Sequence, residues 1–277
     1  MEIIKTIQGI CKANAGVRKE TKIGFVPTMG YLHEGHASLI KRAKSENDIV
    51  VVSIFVNPMQ FAPNEDLATY PRNLEKDAKL CEILGVDYLF APDSNEIYGE
   101  NFFTQVSVPS LNNKLCGITR PTHFSGVCTV VLKLFNIVKP TNAYFGLKDF
   151  QQYTIIKTMV QNLNLSVNIV GCDIIREESG LALSSRNSYL SEKEKEDALV
   201  LYEAILYANE SAEKNAEQLI TELKEIIQRK ARIDYIEMVD EKTLEPIEIV
   251  DRDCRLIMAA YVGNTRLIDN FKINGKK

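Results

Sequence analysis

Two histidines three residues apart, His33 and His36, close the string Pro27-Thr28-Met29-Gly30-Tyr31-Leu32-His33-Glu34-Gly35-His36. The apolar run Ile23-Gly24-Phe25-Val26 before it reads as a buried strand, and Ser38 to Lys44 after it reads as a helix. The histidines therefore stand where a first strand hands over to a helix, the edge that faces the ligand crevice in an open α/β sheet. A helix start offers unpaired N–H groups and partial positive charge to a phosphate. Gly35 lets the backbone approach such a group with no Cβ in the way. Two other readings stay open. A shared zinc ion would need a third and usually a fourth ligand, and no second His/Cys cluster is in sight. A capping or packing pair is the other. The chain has only three histidines, and the third, His123, falls in the polar segment Thr119-Arg120-Pro121-Thr122-His123-Phe124.

Three further segments carry groups suited to the same crevice. Asn57 and Gln60 end the run Phe55-Val56-Asn57-Pro58-Met59-Gln60-Phe61. Their neutral amides can donate and accept, which suits a hydroxylated or carboxylate-bearing small molecule, although Asn-Pro also favours an ordinary turn. In Gly146-Leu147-Lys148-Asp149-Phe150-Gln151-Gln152, Lys148 can reach a phosphate as a point charge. Asp149 there suits a helix cap, which would put Gln152 one turn in, on the crevice side. Leu183-Ser184-Ser185-Arg186-Asn187 sets two hydroxyls and a guanidinium in succession, a compact clamp for an oxyanion.

The elements that must position these groups read as alternating strands and helices. Residues 49–56 are nearly all apolar, as a strand covered on both faces should be. Helices are expected over 71–84, 127–138 and 150–162, with strands over 87–91, 143–146 and 167–170. Repeated βα units imply a Rossmann-like, doubly wound parallel sheet over residues 1–175. After a polar loop at 176–187, Ser191-Glu192-Lys193-Glu194 looks like a capping box. Helices over 191–210 and 215–231, then strands over 235–239, 255–262 and 266–268, suggest a smaller α+β domain over 176–277.

With 277 residues, 45% of them hydrophobic, the chain can bury a proper core. A net charge of −4 without a basic run argues against a nucleic-acid surface. No apolar stretch has the length of a membrane span, and Met1 to Lys5 does not read as a secretory signal. The six cysteines form no C-x-x-C pair, and Cys81, Cys128, Cys172 and Cys254 read as small core residues. A reduced, cytoplasmic protein is expected.

The strings PTMGYLHEGH, FVNPMQF, YPRNLEKD, HFSGV…KLFNIVKP, GLKDFQQ and LALSSRNSYLS occur in one order. Together they closely resemble the pantothenate synthetase (pantoate–β-alanine ligase) family of the nucleotidylyltransferase superfamily. Ala259-Ala260-Tyr261 and Arg266-Leu267-Ile268-Asp269-Asn270 also look like that family. The resemblance implies an ATP-dependent ligase that joins (R)-pantoate to β-alanine through pantoyl adenylate, releasing AMP and pyrophosphate. It implies an ATP-binding turn from Pro27 to His36, with His36 as proton donor and His33 beside it on the phosphates. It places Gly146, Leu147, Lys148 and Asp149 along the nucleotide, Lys148 against phosphate charge, and Ile175 on the adenine-ribose side. Leu183, Ser184, Ser185 and Arg186 would close on the phosphates, while Gln60 and Gln152, with Asn57, would hold pantoate and β-alanine. Mg²⁺ would travel with ATP, and a homodimer is expected. The chain departs from the family at Cys116, where glutamate is common, and at Leu147, where Gly-Glu-Lys-Asp is common.

Overall fold

Six parallel strands form the larger sheet of the computed structural model, which describes residues 1–16, 18, 20–63 and 65–275. They are β1 (Glu2–Ile4), β2 (Ile23–Thr28), β3 (Ile49–Ile54), β4 (Tyr88–Phe90), β5 (Asn142–Gly146) and β6 (Asn168–Cys172). Their spatial order is β1-β4-β3-β2-β5-β6. From β2 the chain winds one way through β3 and β4, then returns to the other side of β2 with β5 and β6. The order reverses between β2 and β5, so the carboxyl ends of these two strands border the crevice where such sheets bind ligands. Those ends carry Met29 to His36 and Leu147 to Asp149.

Helices cover the sheet: α1 (Ile7–Ala15), α2 (Glu34–Glu46), α3 (Leu74–Ile83), α4 (Ser94–Tyr98), α5 (Pro109–Asn112), α6 (Cys116–Thr119), α7 (His123–Val138) and α8 (Phe150–Asn162). Phe25, Val51 and Phe90 pack on the side of the sheet that meets the apolar face of α7. Val26, Val50 and Val52 meet Leu39, Ile40 and Ala43 of α2 on the other. Adjacent strand residues thus face opposite cores, which explains the uninterrupted apolar runs.

The smaller sheet is antiparallel, β7 (Arg232–Val239), β8 (Cys254–Val262) and β9 (Thr265–Ile273) in that order. It packs on α10 (Val200–Glu210) and α11 (Ala216–Ile227), preceded by α9 (Glu192–Ala198). Ser191 and Glu194 do form the capping box of α9. Val239, Leu244 and Ile257 pack into the core of the first half, so the two halves meet through apolar contact.

The doubly wound sheet with a smaller α+β part is the class expected from the sequence. Boundaries moved where tertiary contacts override local pattern. β1 and α1 were not anticipated; a three-residue strand is too short to show a period. The 71–84 helix starts only at Leu74, because Asn73 Oδ1 caps the Lys76 N–H at 3.0 Å. The 191–210 helix is broken at Leu199, and α11 stops at Ile227. His123, in the polar segment ahead of the helix expected from 127, opens α7.

Candidate active site

β2 ends at Thr28, whose Oγ1 donates to Ser53 O at 2.8 Å and accepts from Gly30 N–H at 3.1 Å. The chain then turns through Gly30 (φ +84°) and Tyr31 (φ +52°). Successive left-handed residues need an external brace, and Asp77 of α3 supplies it. Its Oδ2 accepts from Tyr31 N–H at 2.8 Å and its Oδ1 from Leu32 N–H at 2.7 Å. A Cβ on Gly30 would stand 2.9 Å from Ile54 Cγ2 and 3.1 Å from Asp77 Oδ2, on top of the positive φ. Burial pushes the Asp77 carboxyl up in spite of its two N–H donors.

His33 is the N-cap of α2, which begins at Glu34, four residues before the start expected from periodicity. Its Nδ1 accepts from Gly35 N–H at 3.1 Å, and His36 Nδ1 accepts from His33 N–H at 3.3 Å. This is a capping box built from two imidazoles. Both Nδ1 atoms are acceptors, so each neutral ring carries its proton on Nε2. Burial lowers the His33 pKa to about 4, with the Lys148 charge as second cause. Burial, then His33 and Lys148, lower that of His36 to about 3. Both rings are neutral near pH 7 and offer Nε2–H hydrogen bonds to the space beside them.

The end of β3 leads into a single 3-10 turn, Pro58–Gln60. Asn57 is wholly buried there. Its Nδ2 donates to Gln60 Oε1 (3.0 Å) and Gly126 O (3.1 Å), and its Oδ1 accepts from Met59 N–H (3.2 Å) and Tyr98 Oη–H (2.6 Å). With every polar side-chain atom engaged, Asn57 orients Gln60 at the cavity edge. Gln60 keeps its Nε2 beside Met29 Sδ at 3.2 Å and so presents a donor at the cavity wall. The Gln60 backbone carbonyl accepts from His123 Nδ1–H at 2.9 Å and from Arg120 Nη2 at 3.3 Å. Arg120 is also held by Glu65, at 2.5 and 2.6 Å. Burial foremost lowers the His123 pKa to about 4, which keeps that ring neutral as well.

At the end of β5, Lys148, Asp149 and Gln152 line the same space. Asp149 makes no side-chain cap for α8, so its expected capping role is not realised. Gln151, also on the cavity lining, accepts from Cys116 N–H and donates to Leu111 O and Lys114 O. From the second half, Ser184, Ser185 and Arg186 arrive opposite. Tyr70 Oη and Ser185 Oγ are 3.1 Å apart, and Arg186 forms a two-pronged pair with Asp66 at 3.0 and 3.1 Å.

His33, His36, Asn57, Gln60, Tyr70, Arg120, His123, Lys148, Asp149, Gln152 and Ser184 to Arg186 border one cavity of about 990 Å³, at the large end for a ligand site. Of the residues singled out from the sequence, Pro27, Thr28, Met29, His33, Gly35, His36, Asn57, Gln60, Gly146, Lys148, Asp149, Gln152, Ile175, Leu183, Ser184, Ser185 and Arg186 border it. Gly30, Tyr31, Leu32, Glu34 and Leu147 are not among the residues lining it. Gly30 to Leu32 form the braced turn, Glu34 pairs with Lys41 at 2.6 Å, and Leu147 packs over Gly171. Sequence reasoning assigned no role to Tyr70, Asp77 or Gly126. Tyr70 and Asp77 begin and end the string YPRNLEKD, and Gly126 lies in HFSGV, so the signal was present without a mechanism.

A family model described as pantoate-beta-alanine ligase matches residues 2–272. The pantothenate synthetase of Thermotoga petrophila is 53% identical, over 98% of this chain and 99% of that protein. That of Thermosipho africanus is 52% identical, over 99% of this chain and 100% of that protein. The crystal structure of pantothenate synthetase from Thermus thermophilus superposes with a TM-score of 0.93 at 44% identity, covering 98% of this chain and 99% of that one. The pantoate-beta-alanine ligase of Francisella tularensis, complexed with beta-gamma ATP and beta-alanine, superposes at 0.83 with 41% identity, covering 98% of this chain and 97% of that one.

Proposed function

Since the chain belongs to the pantoate-beta-alanine ligase family, and is on that ground a ligase, we propose that it works through a pantoyl-adenylate intermediate. In the first step an oxygen of the pantoate carboxylate attacks the α-phosphorus of ATP. The bond from that phosphorus to the bridging oxygen breaks, and pyrophosphate leaves. The carboxylate is ionised at pH 7 and needs no base. The barrier lies in charge gathering on the phosphoryl oxygens and the leaving group, which calls for fixed donors and cations. In the second step the free amine of β-alanine attacks the acyl carbon, the carbon–oxygen bond to AMP breaks, and pantothenate is released.

The observation that carries this reading is the convergence, on one cavity, of donors and cations from both halves of the chain. The Nε2–H groups of His33 and His36 and the Lys148 ammonium would stabilise the phosphates from the end of the sheet. Ser184, Ser185 and Arg186 would close on them from the loop, after Arg186 exchanges Asp66 for phosphate. Ile175 would border adenine and ribose. Gln60 Nε2–H and Gln152 would hold the pantoate oxygens, with Asn57 keeping the Gln60 amide from turning over. Among the described residues no three of His, Cys, Asp and Glu cluster closely enough to cage a metal ion. Mg²⁺ would travel with the nucleotide, carrying most of its coordination as phosphate oxygens and water.

Two coarser expectations complete the reading. A homodimer would sediment at twice the chain mass. A reducing compartment fits the free thiols of Cys11, Cys81, Cys116, Cys128 and Cys172; among the described residues no helix is long and apolar enough to cross a membrane. Isotope exchange between ATP and pyrophosphate tests the chemistry. Exchange that requires pantoate is expected. Exchange driven by another acid, or none with any acid, would contradict it.

A further inference from the structure

Lys148 and Arg186 belong to different halves of the chain, at the end of β5 and in the loop after β6, yet both border the cavity. The Arg186 segment has one local cap, Ser184 Oγ accepting from Arg186 N–H at 3.3 Å, and the Lys148 segment has none. The Leu147–Asp149 turn has no side-chain cap, and Asp149 does not cap α8. Instead β9 packs against this turn and against the Ser185–Tyr189 turn.

Asn270 of β9 is 1% exposed. Its Nδ2 donates to Leu147 O and to Lys148 O, both at 2.9 Å, and its Oδ1 accepts from Arg255 Nη1 at 2.7 Å. The orientation is locked. Turning the amide over would set an oxygen against two carbonyls and an NH₂ against a guanidinium. Arg255 is held in turn by Glu241 at 2.6 Å, and its guanidinium carbon lies 3.9 Å from the ring centre of Phe150, the first residue of α8. The corner that carries Lys148 is thus gripped by two carbonyls and one ring.

Asp269, one residue earlier, points to the opposite face, as strand geometry requires. It takes Arg176 in a two-pronged pair, Nη1 at 2.7 Å and Nη2 at 2.8 Å. Arg176 Nη1 also donates to Gly180 O at 3.0 Å. Leu183 N–H donates to Ile175 O at 3.0 Å, which closes the loop just before Ser184. Asp269 Oδ1 accepts from Asn270 N–H at 2.8 Å, which ties the two side-chain systems together.

We propose that Asp269 and Asn270 are positioning residues, a two-sided strut on β9 that sets the separation of Lys148 and Arg186 across the phosphate site. The claim rests on the reading of that site as phosphate-binding. It gives the smaller sheet a task beyond covering the cavity. β9 holds one loop of each half in register, so the backbones that carry the two cations keep a set spacing while the Arg186 side chain exchanges Asp66 for phosphate.

The test is a double-mutant cycle. Asn270→Asp keeps the shape of the side chain and an acceptor for Arg255, but turns a carboxylate oxygen toward the Leu147 and Lys148 carbonyls. In the otherwise native chain it should lower kcat/KM for ATP in pantoate-dependent pyrophosphate exchange at least ten-fold, with KM for pantoate within two-fold. In a Lys148→Ala background the same change should cost less than two-fold, because the group it places is gone. Asp269→Asn combined with Arg186→Ala forms the parallel cycle and carries the test if Asn270→Asp does not fold. Equal cost with and without the cation, or no cost in the native background, overturns the strut. If the unsubstituted protein shows no pantoate-dependent exchange, the functional reading fails instead. The cycle is then read in Kd for ATP, with the same criterion.

Discussion

Imidazoles at the mouth of β2 are held by backbone N–H groups on their Nδ1 atoms, with no carboxylate behind them. That arrangement gives a neutral donor, and it fixes what single substitutions should do. His36→Ala and Lys148→Ala should each lower turnover by about 10²–10³-fold, the scale of losing one preorganised donor, with circular dichroism unchanged. A loss of folded signal instead would make these residues structural. The three lowered histidines also set a pH dependence. Their folded pKa values, to about 4, 3 and 4 for His33, His36 and His123, lie below the unfolded value near 6.5. Between those limits the unfolded chain binds more protons, so stability rises with pH. It is fully present above about pH 6.5 and is lost as pH falls toward 4. Urea titrations at pH 7, 5.5 and 4.5 should show a steady decline, shallower in His36→Asn. The histidine pair was legible because two rare residues stood at a strand-to-helix boundary. Their tautomer was not, since it depends on which backbone N–H each ring meets.

Element packing decides how those side chains are aimed. α7 crosses the Pro58–Gln60 turn so closely that a Cβ on Gly126 would come 2.4 Å from Met59 O. Gly126→Ala should therefore push the turn, and Gln60 with it, off the cavity wall. The expected outcome is a rise in KM for pantoate of about ten-fold or more with KM for ATP little changed, on the view that small misplacements of a binding group are costly. Equal changes in both constants would contradict that division of labour. Asp77 is the matching brace on the nucleotide side. Asp77→Leu leaves the buried Leu32 N–H unsatisfied, at a cost of about 1–3 kcal/mol, and frees the half-buried Tyr31 N–H; it should lower the melting temperature as well as ATP affinity. Strands β2, β3 and β5 could be read from apolar runs between turn signals. The braces could not, because Asp77 and Gly126 act on segments more than forty and sixty residues away, and sequence periodicity reports only local neighbours.

The whole molecule joins two sheets through shared apolar contacts, Val239, Leu244 and Ile257 reaching into the larger core, and through the polar grip of β9 on the Lys148 turn. With the halves joined in this way, thermal unfolding should proceed as one transition followed alike by near- and far-UV circular dichroism. Two separated transitions would contradict it. The alternation of strand and helix foretold the doubly wound half, and the helix-then-strand order foretold the smaller one. How the halves dock was illegible, since Asn270 and Arg255 meet residues over a hundred positions away. The central claim is that segments from both halves converge on one triphosphate. The most direct check is a crystal structure with a non-hydrolysable ATP analogue and pantoate. The account predicts phosphate oxygens within hydrogen-bond distance of the Nε2 atoms of His33 and His36, of Lys148 Nζ and of Arg186, with the pantoate carboxylate facing the α-phosphorus. Phosphates bound elsewhere, with Arg186 still on Asp66, would contradict it.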